Sequence, residues 1–174
     1  MAGRLAPGAE KVLGGPAPPP TLVIGLGNPI LGDDAVGWRV ADEVERRLEA
    51  RGGPSSVTVE RLAVGGIALM ERLVGWERAI IIDSCVADDE PGAVRVCPFA
   101  ELGDRQHGHL DSAHDTTLGR ALAAGRSIGA SLPDDLVVVT IDANPSEVFD
   151  ESMTEPVAAA VVMAADAVIE LLAR

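Results

Sequence analysis

The chain has 174 residues, 14 of them basic and 27 acidic, for a net charge of −13 at pH 7, and 47% of the residues are apolar. That length fits one globular domain, and the surplus of carboxylates argues against nucleic acid or an anionic membrane surface as a partner, since both are bound mainly through Lys and Arg. The longest apolar run, Val157 to Ala165, falls far short of the roughly 18 residues a membrane helix needs, and two cysteines, Cys85 and Cys97, give no disulfide framework, so a soluble protein of the reducing cytoplasm is expected.

Residues 1–20 hold five of the 12 prolines and four of the 19 glycines and lack the apolar core of a secretion signal, so they read as a disordered tail ahead of a single domain over 21–174. Thr21 to Gly25 is a short apolar run with β-branched residues, the pattern of a buried strand. From Asp34 the spacing Val36, Val40, Val44, Leu48 marks one face of a helix, with Arg46, Arg47 and Arg51 at its end and Gly52 and Gly53 as its stop. A second strand is predicted over Val57 to Leu62, a second helix over Ile67 to Val74, and a third strand over Ala79 to Ile82 that ends in Asp83 and Ser84. Val94 to Cys97 reads as an edge strand, Asp104 to Ser112 as a surface loop, Ala113 to Ala124 as a helix, Leu136 to Ile141 as a strand, 143–153 as a polar loop, and Glu155 to Leu172 as the last helix. This alternation predicts an α/β fold with a covered, mostly parallel sheet.

Ligands of open α/β sheets bind at the carboxyl ends of the strands, and three polar constellations fall there. The first is Gly25-Leu-Gly27-Asn28-Pro29, followed by Gly32-Asp33-Asp34. It fails as a dinucleotide fingerprint, because Ile30 stands where a third small residue is needed and no acid closes the second strand at Leu62. Asp33 and Asp34 could both cap the helix, but two acids in succession leave one carboxylate to face the crevice. The second is Asp83, directly after four apolar residues, where a carboxylate must be hydrogen-bonded, paired or metal-bound; it is either a turn cap or a site residue. The third, His107-Gly-His109-Leu-Asp111-Ser-Ala-His114-Asp115, contains all 3 histidines of the chain, which reads either as a solvated loop or as a ligand or proton-transfer site. It departs from the HxHxDH pattern of binuclear zinc hydrolases, since Ser112 and Ala113 separate the acid from the last histidine and no histidine follows. No HExxH, CxxC, GxSxG or Walker A motif occurs. Cys85, beside Asp83 and Ser84, reads as a small buried hydrophobe, because a neighbouring carboxylate raises a thiol pKa.

Taken together, Val23-Ile-Gly-Leu-Gly-Asn-Pro-Ile-Leu-Gly-Asp-Asp-Ala-Val-Gly37, Ile81-Ile-Asp83 and Ser112-Ala-His114 closely resemble the hydrogenase maturation proteases. These endopeptidases remove a C-terminal extension from the large subunit of nickel-iron hydrogenases once nickel has been inserted. The resemblance runs in order from about Thr21 to Leu172 and implies a three-layer α/β/α sandwich around a twisted, mostly parallel five-stranded sheet. It also implies a metal-contacting and catalytic triad, which by motif falls on Asp34, Asp83 and His114; Asp34 is taken over Asp33 because it holds the second acidic position of its loop. The nickel is expected to arrive with the substrate, the precursor of a hydrogenase large subunit. Members of that family often carry an acid where this chain has Val64, before Gly65-Gly66.

Two carboxylates and one imidazole form an incomplete shell that leaves positions for a metal bringing its own ligands, and its affinity should fall below roughly pH 6.5 as protons compete for the imidazole. Two other readings are weighed. Peptidyl-tRNA hydrolase shares the opening Gly25 to Pro29, but its continuation and its basic surface are missing. A metal-dependent interaction or nickel-delivery module would use the same triad without cutting.

Overall fold

The computed structural model describes residues 19–52, 56–86, 90–102, 110, 117–144, 149–150 and 152–174. A five-stranded sheet runs in the order β2-β1-β3-β5-β4, with β1 (Thr21–Leu26), β2 (Val57–Leu62), β3 (Arg78–Val86) and β5 (Asp135–Ala143) parallel and β4 (Val94–Pro98) antiparallel against β5. The inner strands are apolar runs because both of their faces are covered. β1 is buried at every position, whereas β4, at the margin, has only partly buried and exposed residues and ends at Pro98, which has no amide to offer a further ladder.

Four helices cover the sheet. α1 (Val36–Ala50) and α4 (Glu155–Leu172) pack on one face, where Val36, Val40, Val44, Val157, Ala164 and Val168 meet Val23, Ile80, Ile82, Val139 and Ile141. α2 (Gly66–Leu73) and α3 (Leu118–Ser127) cover the other, where Leu69, Leu73, Leu118 and Leu122 meet Leu22, Ile24, Ile81 and Val138. The α/β class and the mostly parallel sheet are as predicted. No helix among the described residues is long and apolar enough to cross a membrane.

Several predicted boundaries need correction, most by one or two residues. The helix expected from Asp34 starts at Val36, because Gly32–Ala35 form a 3₁₀ turn ahead of it. β3 does not stop at Ile82 but continues through Asp83, Ser84 and Cys85 to Val86, held by its ladder with β5. The helix expected from Ala113 to Ala124 spans Leu118–Ser127, with the Thr117 hydroxyl accepting the Arg120 amide as its cap. The loop expected from 143 begins one residue later, since Ala143 closes β5. The tail over 1–18, Gly53, and the Asp104 to Ser112 loop apart from Leu110 lie outside the described residues.

Candidate functional site

The topology itself marks a crevice. From β1 the chain crosses to β2 on one side, and from β3 it leads to β4 and β5 on the other, so the connections part at the carboxyl ends of β1 and β3, the usual ligand position in such sheets. The β1–β3 ladder ends at Gly25 and Ile82, while β3 stays paired with β5 as far as Val86 and Ala143. Asp83 is therefore the first β3 residue beyond its β1 partner, and lies inside a strand instead of at its end.

Glycines bring the following turn against the strand ends. Gly27 has φ +145°, and a Cβ there would stand 2.0 Å from the Asp34 carbonyl oxygen. A Cβ on Gly37 would stand 2.1 Å from the Leu26 carbonyl oxygen and 2.7 Å from that of Ile82. Backbone on both sides cannot give way, so only glycine lets the start of α1 sit directly on β1 and β3. Trp38 fixes the same end sideways by donating its indole Nε1–H to the Leu62 carbonyl, 3.0 Å away, at the end of β2.

The two acids of the 3₁₀ turn go to different places, and neither caps its own helix. Asp34, 8% exposed, accepts the Asn28 amide on Oδ2 at 2.8 Å and the Ser84 hydroxyl on Oδ1 at 3.2 Å. Asp33, 4% exposed, accepts the Thr154 amide at 2.6 Å and the Thr154 hydroxyl at 3.0 Å, at the start of α4. The sequence left open which acid faces the crevice; Asp34 is the one tied to β3.

Strand alternation turns Ser84 towards α1 and α4, and Asp83 and Cys85 towards α2 and α3. Asp83 is fully buried, and its Oδ2 accepts the Leu110 amide at 3.2 Å. Leu110, itself buried in the α2–α3 core, stands four positions before His114. His114 lies outside the described residues, as do His107, His109, Asp111, Ser112 and Asp115. Asp34, in the turn after β1, is thus bonded to Ser84, the residue that follows Asp83 on β3. Among the described residues no group of three or more His, Cys, Asp or Glu is arranged to hold a metal ion.

One buried acid escaped the sequence reading. Asp142, 1% exposed, faces Cys85 across the β3–β5 ladder, accepts its thiol at 2.9 Å and is ion-paired with Arg95 of β4. The signal was present: Asp142 follows the largely apolar strand Leu136 to Ile141, interrupted by Thr140, much as Asp83 follows Ala79 to Ile82. Burial, then the hydrogen bond and charge of Asp142, push the Cys85 thiol up to about 12. Cys85 is an inert core residue, as expected, although the carboxylate beside its sulfur is Asp142 and not Asp83.

A family model described as hydrogenase maturation protease matches residues 38–171, a span that includes Asp83 and His114 and begins after the glycine turn. The hydrogenase expression/formation protein HupD of Bradyrhizobium diazoefficiens is 26% identical over 153 residues, covering 88% of this chain and 78% of that protein. The hydrogenase maturating endopeptidase HybD from E. coli superposes with a TM-score of 0.64 at 25% identity, over 87% of this chain and 91% of that one. A hydrogenase 2 maturation peptidase from a Thaumarchaeota archaeon gives a TM-score of 0.62 at 26% identity, over 88% and 97%.

Proposed function

Because the chain belongs to the hydrogenase maturation protease family, we propose that this peptidase removes a C-terminal extension from the precursor of a nickel-iron hydrogenase large subunit after nickel has been inserted. The nickel belongs to the substrate. Asp34, Asp83 and His114 are the side chains that meet it, and together they leave coordination positions for the ligands the ion brings along. Docking then requires a metal-loaded precursor, which makes cleavage conditional on maturation. The reaction takes place in the cytoplasm.

The observation that carries this reading is the hydrogen bond from Ser84 to Asp34, which ties the acid of the turn after β1 to the residue next to Asp83 at the mouth of the sheet. The hydrogen bond donated by the Leu110 amide to Asp83 supports it further, because it holds the chain four residues ahead of His114 against the second acid. A hydrolytic route without a covalent intermediate fits the side chains: Cys85 stays a thiol, with its pKa at about 12, and the Ser84 hydroxyl is 1% exposed and donates to Asp34. Asp34 or Asp83 then serves as general base towards a water, and the substrate's metal polarises the scissile carbonyl.

The test is incubation of the purified protein with a nickel-loaded large-subunit precursor, followed by intact mass measurement. Loss of a C-terminal peptide from the loaded precursor, and none from the metal-free one, is expected. Binding of the loaded precursor with no loss of mass would replace the protease by an interaction or nickel-delivery module.

A further inference from the structure

We propose that Asp33 is a positioning residue: by clasping Thr154 at the start of α4 it fixes the 3₁₀ turn and thereby sets the direction of the Asp34 carboxylate. This inference rests on the reading of Asp34 as a site acid. A 3₁₀ turn of four residues has too few internal hydrogen bonds to hold its own geometry firmly, so contacts from outside decide it. Asn28 and Ser84 hold Asp34 in front; the contacts behind it come from one place. Asp33 uses both carboxylate oxygens on Thr154, one for the amide and one for the hydroxyl. Beside this clasp, the Gly32 amide donates to the Asp150 carbonyl at 2.5 Å and the Asp150 amide to the Ile30 carbonyl at 3.1 Å. Four hydrogen bonds therefore lace residues 30–33 to residues 150–154.

α4 is a firm support, since Val157, Ala160, Ala164 and Val168 are buried against α1 and the sheet. Thr154 occupies the position before its first turn, in extended backbone, and its side chain caps nothing on α4; its hydroxyl is spent on Asp33. A carboxylate at this helix start is also favoured by the exposed amides there. Asp34, one residue on, must reach the Asn28 amide and the Ser84 hydroxyl at the same time, and only a turn fixed from behind allows both.

The test compares Asp33→Ala with Asp33→Asn in the full-length protein. An asparagine can still accept the Thr154 amide on its oxygen and donate to the Thr154 hydroxyl, so it keeps the clasp without the charge; alanine loses it. Amide hydrogen exchange at Thr154 reads the clasp, and exchange at Asn28 reads the Asp34 carboxylate, both without reference to catalysis. In Asp33→Ala, faster exchange is expected at both amides, together with a loss of cleavage on the order of 100-fold; in Asp33→Asn, protection at Asn28 and a rate close to wild type are expected. Unchanged protection at Asn28 in Asp33→Ala overturns the proposal. So does an Asp33→Asn variant as inactive as Asp33→Ala with both amides protected, since Asp33 would then belong to the chemistry. If Asp33→Ala does not fold, Thr154→Val removes the hydroxyl bond alone: faster exchange at Asn28, restored by Thr154→Ser, supports the clasp, and wild-type protection in Thr154→Val counts against it. A wild-type protein that cleaves nothing yet shows these exchange differences would refute the protease reading and leave the clasp standing.

Discussion

The Ser84 hydroxyl donates to Asp34 across 50 positions of sequence, at 3.2 Å and with both residues buried. A hydrogen bond to a charged group is worth about 1.5–3 kcal/mol, and Asp34 keeps the Asn28 amide when the serine is removed. Ser84→Ala is therefore expected to lower stability by about 1–2 kcal/mol and to slow cleavage of the loaded precursor, while Asp34→Asn abolishes cleavage and leaves the fold intact. Urea midpoints and cleavage rates check both. Full cleavage by Asp34→Asn would remove that carboxylate from the site.

Gly37 is expected to be irreplaceable for packing reasons alone. A methyl group there meets the carbonyl oxygens of Leu26 and Ile82, so Gly37→Ala must push α1 off the sheet, at a cost of about 1–3 kcal/mol or more. The denaturation midpoint measures that loss. Because the displaced segment also carries Asp34, cleavage is expected to fall further than stability does.

Cys85 gives a signed pH dependence at the alkaline end. Its pKa lies at about 12 in the folded protein against an ordinary 9.0, so between these values the unfolded chain has released a proton that the folded one retains. Folding stability is therefore expected to fall as pH rises through this window, by at most about 1.4 kcal/mol per pH unit from this group, and Cys85→Ala should flatten the slope. Native Cys85 should also resist alkylation at pH 8 and react only after unfolding.

At the acid end the corresponding group is Glu43. Hydrogen bonds from Arg46 and then Arg47 hold its carboxyl down at about 2, from an ordinary 4.5. A lowered carboxyl pKa means stability present above the ordinary value and lost as pH falls from about 4.5 towards 2. The pair is near the surface and screened by salt, so the Glu43→Gln variant should lose part of the acid dependence at low ionic strength and little of it in 1 M salt.

Much of this architecture was readable from local pattern. Residue pattern gave β2 its observed ends, and helical periodicity gave α4 its own. At β3 an apolar run stops too early as a criterion: Asp83 and Ser84 broke it, yet their backbone groups continue the ladder with β5. Helical spacing from Val36 likewise says nothing about whether the preceding residues are α or 3₁₀, so Asp34 was assigned to the helix. Asp83 was found because an acid after an apolar strand needs a partner, whereas Asp33 and Asp34 stood out as two acids where a helix cap explains one, and the choice of Asp34 came from the family resemblance. Their actual partners were not visible, since Ser84 lies 50 positions from Asp34 and Leu110 lies 27 from Asp83, and only the folded chain brings them together. Asp142 was missed although it follows a strand as Asp83 does, because no motif drew attention to it.

The proposed metal-dependent cleavage of the precursor runs through Asp34, Asp83 and His114. Its most direct test is intact mass spectrometry of a nickel-loaded and a nickel-free large-subunit precursor, each incubated with wild-type protein and with Asp34→Asn. Loss of a C-terminal peptide solely in the sample combining wild type with nickel is the predicted result. Equal cleavage of the nickel-free precursor, or cleavage that persists in Asp34→Asn, would contradict it.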